Sequence, residues 1–455
     1  MYFEMLDSRP SMPHLHPVPL LYGFVRGLVR LGLNAYFRQV RVHGIEHLEG
    51  DGPRIIAGNH NNGLVDPLLI IAASDRPVAF IAKAPLFRVP VLGWFLRNLG
   101  CIPAWRSQDE GYAKEKNERL YEEAARRLAS GPALAIFPEG RSHSEPQLGE
   151  FRHGAARIAL EAEARQGGAR IQLASLQFER SRGFRGKALV QFGPPLPLAP
   201  YRERFASEPR EATAAVTQEM RRRLSEMVLQ AETDEILRLA DLVDRMGVLE
   251  EAGAGDLKSA FDRRKFILDS YRRLRESRPE EVEALRVDLR RYRDTLDLLK
   301  VRDDQVAQDY RFGRVLAYSL KNAFLLAVGL PIVALALACN FPPYLACWGI
   351  VRAFGRQGDL HATYGLLPAL FIFPAYWAGL AYGAWRLEEL PGLVAAAVAA
   401  PLSGLVALHW MDRWHKVLAE AWGLLAALAL PGARDSLRRI RRRVLDRVRR
   451  LAALQ

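Results

Sequence analysis

Three long stretches without a charge limit what this chain can fold into. NAFLLAVGLPIVALALAC (Asn322 to Cys339), ATYGLLPALFIFPAYWAGLAYGAW (Ala362 to Trp385) and PGLVAAAVAAPLSGLVALHW (Pro391 to Trp410) all lie in its last third. A helix needs about 20 apolar residues to cross a bilayer core, and each stretch meets or approaches that length. A soluble bundle would have to bury all three completely, whereas Tyr364, Tyr376, Trp377 and Trp385 suit the bilayer interface. The expectation is therefore an integral membrane protein. VLAEAWGLLAALAL, from Val417 to Leu430, is shorter and carries Glu420, which suits either a fourth span or an interfacial helix. Residues 311–432 are accordingly expected to hold two to four transmembrane helices.

The charge that these runs lack is concentrated beyond them. Of a formal net charge of +13, the stretch from Arg434 to Arg450 carries nine arginines against two aspartates. Leu437, Ile440, Val444, Val448 and Leu451 recur three or four apart, so residues 433–455 read as a basic amphipathic helix suited to anionic headgroups. A nucleic-acid-binding tail would share the basicity, but three apolar runs count against it, and no nucleic acid is expected as a partner. Arginine clusters mark the cytosolic side of a membrane. MYFEMLDSRPSMPHLHP has neither the basic start nor the unbroken apolar core of a signal peptide, which puts the portion before the spans in the cytosol and makes the number of spans even.

The first 310 residues have a different character. Residues 1–37 contain an apolar pattern at helical spacing (Leu20, Phe24, Leu28, Leu31, Ala35) with Arg26 and Arg30 between, fitting a helix that faces either a core or a membrane surface. Over 38–207, β-branched runs such as VRVHGI, RIIAGN, VAFIAK, ALAIFPE, IQLASLQFE and ALVQFG alternate with helical patterns. This predicts an αβ sandwich around a mostly buried sheet. Residues 208–310 are rich in Arg, Glu and Leu, a helical connector or lid whose clearest break is EEAGAG at Glu250 to Gly255. The fold class is thus α/β, followed by a helical region and C-terminal transmembrane helices. Cys101, Cys339 and Cys347 have no metal-ligand or disulfide spacing.

Chemistry is expected at strand ends. In RIIAGNHNNGLVDP, His60 follows an apolar strand, and Asp66-Pro67 has the form of a helix N-cap with proline at the first helical position. If the loop folds them together, Asp66 fixes the imidazole tautomer and stabilises it once protonated, leaving His60 as a general base. With ten histidines in the chain the pair alone is also compatible with a capped turn. FPEGRSHSE (Phe137 to Glu145) follows the strand ALAIF and offers Glu139, Gly140 and Arg141 on a tight turn. GCIPAWR supplies Arg106, and FIAKAPLF supplies Lys83. Arginine binds phosphate bidentately, and a set of cations after apolar strands beside a His–Asp pair points to a hydroxyl-bearing phosphate.

NHNNGLVDP, GCIPAWR, FPEGRS and IQLASLQFE, in that order over about 38–200, resemble the four successive blocks of the glycerolipid acyltransferases, the glycerol-3-phosphate and 1-acylglycerol-3-phosphate acyltransferase family. Five residues, Asn61 to Val65, separate His60 from Asp66, where the commonest family pattern has four. The longer form is similar to that of fungal glycerol-3-phosphate acyltransferases and a group of bacterial relatives. The fourth block departs from the family's usual sequence at Ala174-Ser175 and is assigned only a pocket role. The resemblance implies that His60 deprotonates an acceptor hydroxyl as it attacks the thioester of acyl-CoA, with Asp66 orienting the ring and no acyl-enzyme. Arg106, Glu139, Gly140 and Arg141, assisted by Lys83, then hold the acceptor's glycerol phosphate. No metal or bound cofactor is implied, and the partners are acyl-CoA, glycerol 3-phosphate or lysophosphatidate, and membrane lipids. The corresponding location is a bacterial inner membrane with the catalytic domain on the cytoplasmic side. A different class of reading, a non-catalytic lipid-binding scaffold, leaves the intact base without a purpose.

Overall fold

The computed structural model describes residues 19–88, 90–105, 114–129, 133–179, 184–250, 256–307, 312–354, 361–429 and 431–453. Contacts divide the chain into two units, Met1–Val228 with Phe354–Leu366, and Leu229–Ala353 with Leu367–Gln455.

In the first unit, helix α1 (Pro19–Tyr36) leads into strands β1 (Gln39–His43) and β2 (Arg54–Gly58), then α2 (Val65–Ala73), β3 (Val78–Lys83), α3 (Pro90–Asn98), β4 (Ile102–Ala104), α4 (Lys114–Ala129), β5 (Ala133–Ile136), α5 (Gly154–Gln166), β6 (Arg170–Phe178), β7 (Lys187–Phe192) and β8 (Leu196–Pro197). Two helices, α6 (Arg202–Ser207) and α7 (Pro209–Met227), follow. The sheet runs β1-β7-β6-β2-β5-β3-β4, with β8 on β6. Strands β2, β3, β4, β5 and β6 are mutually parallel, while β7 is antiparallel to β6.

Both faces of this sheet are covered, which is why its strands read as continuous apolar runs. Alternation along each strand sorts side chains between two cores. Ile56, Ala135, Ala174 and Leu176 join Tyr22, Val29, Leu33, Leu69 and Ile70 from α1 and α2. Ile55, Ala57, Leu134, Ile171 and Leu173 join Leu120, Leu128, Ile158, Val216 and Met220 from α4, α5 and α7. Each apolar run named from the sequence over 38–207 lies on a strand, and the αβ sandwich is present.

The spacing of Leu20, Phe24, Leu28, Leu31 and Ala35 in α1 leaves open whether that stripe faces a core or a membrane surface. The buried face of the helix is Tyr22, Val29, Leu33 and Tyr36, whereas Leu20 is 88% exposed and Phe24 and Leu31 also face outward. The helix is apolar on two sides, and spacing alone does not choose which one meets the sheet. Nor are its arginines free on the surface: Arg26 donates to the Ser74 carbonyl and Arg30 to that of Ala72, at 2.9 and 3.1 Å. Both sit at the carboxyl end of α2, where unpaired carbonyls and the helix dipole favour cations.

The second unit is helical in every described element: α8 (Asp234–Glu250), α9 (Leu257–Ser277), α10 (Pro279–Leu299), α11 (Asp303–Ala307), α12 (Phe312–Phe354), α13 (His361–Ala429, beginning in the first unit) and α14 (Pro431–Ala452). Helix α13 is two arms meeting at Glu389, whose φ of 54° lies in the left-handed region. Its arms contain the second and third apolar runs. The fourth, Val417 to Leu430, simply continues the later arm as far as Ala429 rather than forming its own helix. Among described residues, Tyr364–Gly423 is long and apolar enough to cross a membrane by length and composition.

The basic tail, α14, is amphipathic, but its apolar face already has a partner. Leu437, Val444 and Leu445 pack with Leu239, Met246, Leu289, Tyr292 and Leu296. A buried polar lock completes the seam: Asp303 accepts from the Tyr292 hydroxyl at 2.6 Å and from Arg441 Nε at 3.0 Å, and Arg441 also donates to the Met246 carbonyl at 3.2 Å. Removing one partner of a buried ion pair strands the other's charge. Arg441→Ala is expected to cost about 3 kcal/mol and to expose α14 to limited proteolysis under conditions that leave the wild type uncut. Replacing Arg441 and Asp303 together by apolar residues should recover most of that loss. Equal cleavage of Arg441→Ala and wild type would show that the lock does not hold the helix.

Candidate active site

The carboxyl ends of the parallel strands β2, β5, β3 and β4 lie along one sheet edge, the usual place for ligands in an open α/β sheet. His60 follows β2 and Glu139, Gly140 and Arg141 follow β5. Lys83 ends β3 at the surface, and Arg106, two residues beyond β4, lies outside the described residues.

His60 and Asp66 meet. His60 Nδ1 donates to Asp66 Oδ2 at 2.9 Å, which leaves Nε2 as the ring's basic edge. The same carboxylate oxygen accepts the Asn62 N–H at 2.7 Å. Asp66 is fully buried while the His60 side chain keeps 15% exposure, so the dyad is open only at the histidine. Burial is the largest influence on Asp66 and pushes its carboxyl up. The bond from His60 and the N–H groups of Asn62 and Asn61 pull the other way without cancelling it.

Asp66 is not the N-cap. Helix α2 begins at Val65 after Leu64, which makes no side-chain cap, so Asp66 and Pro67 occupy its second and third positions. The chain is already turning at Asn62, whose carbonyl takes the Asp66 N–H at 3.2 Å. Proline is tolerated there because first-turn N–H groups have no helical acceptor to lose. The carboxylate reaches back over the loop and holds the histidine.

Asn59 anchors the loop from below, exchanging bonds of 2.9 and 2.7 Å with the carbonyl and N–H of Leu176 on β6. Phe137 closes its side, with its ring stacked on the His60 ring at 4.0 Å between centroids and 10° between planes. Gly140 has φ 69°, and a Cβ there would come within 2.7 Å of the Arg152 side chain, so its glycine serves the turn.

The Glu139 carboxylate is taken up by protein donors. It accepts the His60 N–H at 2.9 Å, the Gly149 N–H at 2.7 Å and a short bond from His143 Nε2. Arg141 does face outward, 62% exposed, with Glu145 at 2.9 Å. Sequence reasoning gave no role to Phe137 or His143, although both lie in FPEGRSHSE. Their positions in that nonapeptide, after a strand and four residues past Glu139, were the available signal.

Residues 39–173 match the family model described as Acyltransferase. The α/β domain belongs to the acyltransferase family. The chain is 24% identical to an uncharacterized acyltransferase of Schizosaccharomyces pombe over 78% of its own length and 69% of the yeast protein. Over 27% of its length it is 27% identical to the chloroplastic 1-acyl-sn-glycerol-3-phosphate acyltransferase of Arabidopsis thaliana, spanning 33% of that protein. Among solved structures, the 1-acyl-sn-glycerophosphate acyltransferase PlsC of Thermotoga maritima overlays with a TM-score of 0.34 at 22% identity, covering 46% of this chain and 81% of that one.

Proposed function

We propose that this acyltransferase is membrane-bound and transfers a fatty acyl group from acyl-CoA to the free primary hydroxyl of glycerol 3-phosphate, giving lysophosphatidate. The observation that carries the reading is the His60–Asp66 pair, with Nδ1 tied at 2.9 Å and the opposite ring edge left to act. His60 Nε2 takes the hydroxyl proton as the acceptor oxygen attacks the thioester carbonyl. The tetrahedral intermediate collapses, the C–S bond breaks, and the proton passes from the imidazolium to the departing CoA thiolate. Asp66 stabilises the imidazolium in between.

Arg141, Lys83 and Arg106 are the cations assigned to the acceptor phosphate, with Gly140 shaping the turn. Glu139 is reassigned from acceptor binding to holding the His60 backbone, since its carboxylate is occupied by three protein donors. Membrane attachment rests on the second unit's inverted pattern. Phe324, Val328, Phe371, Val398 and Trp422 face outward on α12 and α13, while buried Asn340 bonds to the Ser403 hydroxyl at 3.1 Å and the Trp377 indole N–H at 3.0 Å. Apolar outside and polar inside suits a lipid surround.

A lysophosphatidate acceptor is favoured by one observation, the name of the plant relative, and glycerol 3-phosphate by the five-residue His–Asp spacing. Purified protein given labelled palmitoyl-CoA with glycerol 3-phosphate or with lysophosphatidate separates them: the expected major product is lysophosphatidate, and phosphatidate alone would overturn the acceptor assignment. Arg141→Ala should raise KM for the phosphorylated acceptor by about 10-fold with little change for acyl-CoA, the loss of one charge-assisted phosphate contact. An equal rise for both substrates would remove Arg141 from the phosphate site.

A further inference from the structure

A second His–carboxylate pair lies behind the first. Glu139 and His143 are 5% and 6% exposed, and protein groups meet both carboxylate oxygens and both ring nitrogens. His143 Nε2–H donates to Glu139 Oε2, and His143 Nδ1 accepts the Glu145 N–H at 3.2 Å. The two contacts fix one ring orientation, a donor aimed at the carboxylate. The main chain runs the same way: the His60 N–H goes to Glu139 Oε1 at 2.9 Å, and the His60 carbonyl takes the His143 N–H at 3.0 Å. Both sides of the His60 residue are therefore gripped by the loop after β5, one through the Glu139 side chain and one through the His143 backbone.

We propose that His143 is a positioning residue for acyl transfer, holding the Glu139 carboxylate in the orientation that fixes the His60 backbone and hence the direction of its base. The proposal rests on His60 being that base. Its chemistry is mechanical: Asp66 and Phe137 set the ring's rotation and tilt, but a ring held only from its side chain still shifts with its Cα. Misplacing a base by an ångström costs about 10²-fold in rate.

The pair also sets when the grip is present. Burial would push the Glu139 carboxyl up. The His143 bond, followed by the Gly149 and His60 N–H groups, pulls the other way, and Glu139 is held below the usual carboxylate range. Glu145 and Arg141 are the other charged groups that bear on His143, one on either side of it in sequence. A depressed carboxylate is anionic above its folded pKa, and its grip is lost as pH falls through that value. Without the His143 bond the burial contribution remains, so the loss moves to higher pH, toward the range in which the enzyme is assayed.

Two substitutions divide the ring's contacts. His143→Gln keeps a donor at the Nε2 position toward Glu139. His143→Asn keeps an acceptor for the Glu145 N–H but stops short of Glu139. With palmitoyl-CoA and glycerol 3-phosphate or lysophosphatidate, whichever the wild type accepts, the Asn variant should lose about 10²-fold in kcat, with both KM values unchanged and the acid limb of kcat displaced to higher pH. The Gln variant should stay within a few-fold of wild type with an unmoved profile. Equal kcat in the two variants would overturn the proposal, as would a loss in the Asn variant accompanied by a lower thermal midpoint and an unmoved pH profile. His60→Ala assayed alongside separates the premises: if it stays active the base assignment itself fails, whereas an inactive His60→Ala beside a fully active Asn variant removes only His143.

Discussion

Replacing His60 by alanine is expected to lower kcat for acyl transfer by about 10³-fold or more, a general base being worth about 10²–10⁴. Nδ1 is committed to Asp66, so Nε2 is the ring's only free lone pair, and Phe137 covers one face of the ring. Water could replace the imidazole in space, but not as a base already desolvated and aligned. The fold should survive the change, because the bonds that residue 60 makes to Glu139 and His143 use its main chain and persist in alanine. Purified variant and wild type, compared in the same detergent, should therefore show nearly the same thermal midpoint and very different turnover. Full activity in the variant would sink the mechanism.

The parts of this molecule that read directly from sequence are those whose cause is local. Strands β1, β2, β3, β5, β6 and β7 follow from β-branched runs between helical patterns, and the loop NHNNGLVD declares itself by a histidine and an aspartate between two buried elements. Through-space choices were not readable in the same way. Helix α1 offers apolar residues on two faces, and the sheet selects Tyr22, Val29 and Leu33 over Leu20 and Phe24. Asp66 has the sequence of a cap, yet a turn begun at Asn62 draws it inside α2. Glu139 stands near Arg141 in a turn assigned to phosphate by resemblance, but its carboxylate is met by the His60 and Gly149 N–H groups and by His143, where an anion is better matched than beside another anion. The tail's apolar stripe at Leu437, Val444 and Leu445 is spaced for a membrane surface and for a helical core alike, and the core is where it lies.

Asp66→Asn should separate activity from stability. The introduced amide is isosteric with the carboxylate, and because the single oxygen Oδ2 serves both His60 Nδ1 and the Asn62 N–H, only an amide oxygen in that place keeps the two bonds, as a neutral and weaker acceptor. The tautomer is then held less firmly, and the charge that would have balanced the imidazolium is gone. A loss of about 10³-fold in kcat with a small change in KM is expected. Stability should move differently. Burial raises the Asp66 carboxyl above its unfolded value, so this group's contribution is most favourable at low pH and declines as pH rises from the unfolded toward the folded pKa. At neutral pH the buried anion is a cost that the neutral amide does not carry. The variant's thermal midpoint should therefore equal or exceed the wild type's, with a difference that shrinks as the buffer is made more acidic. A variant that kept its turnover would remove Asp66 from the mechanism. One that lost turnover and unfolded at lower temperature at every pH would mean that the carboxylate serves the fold first and the base second.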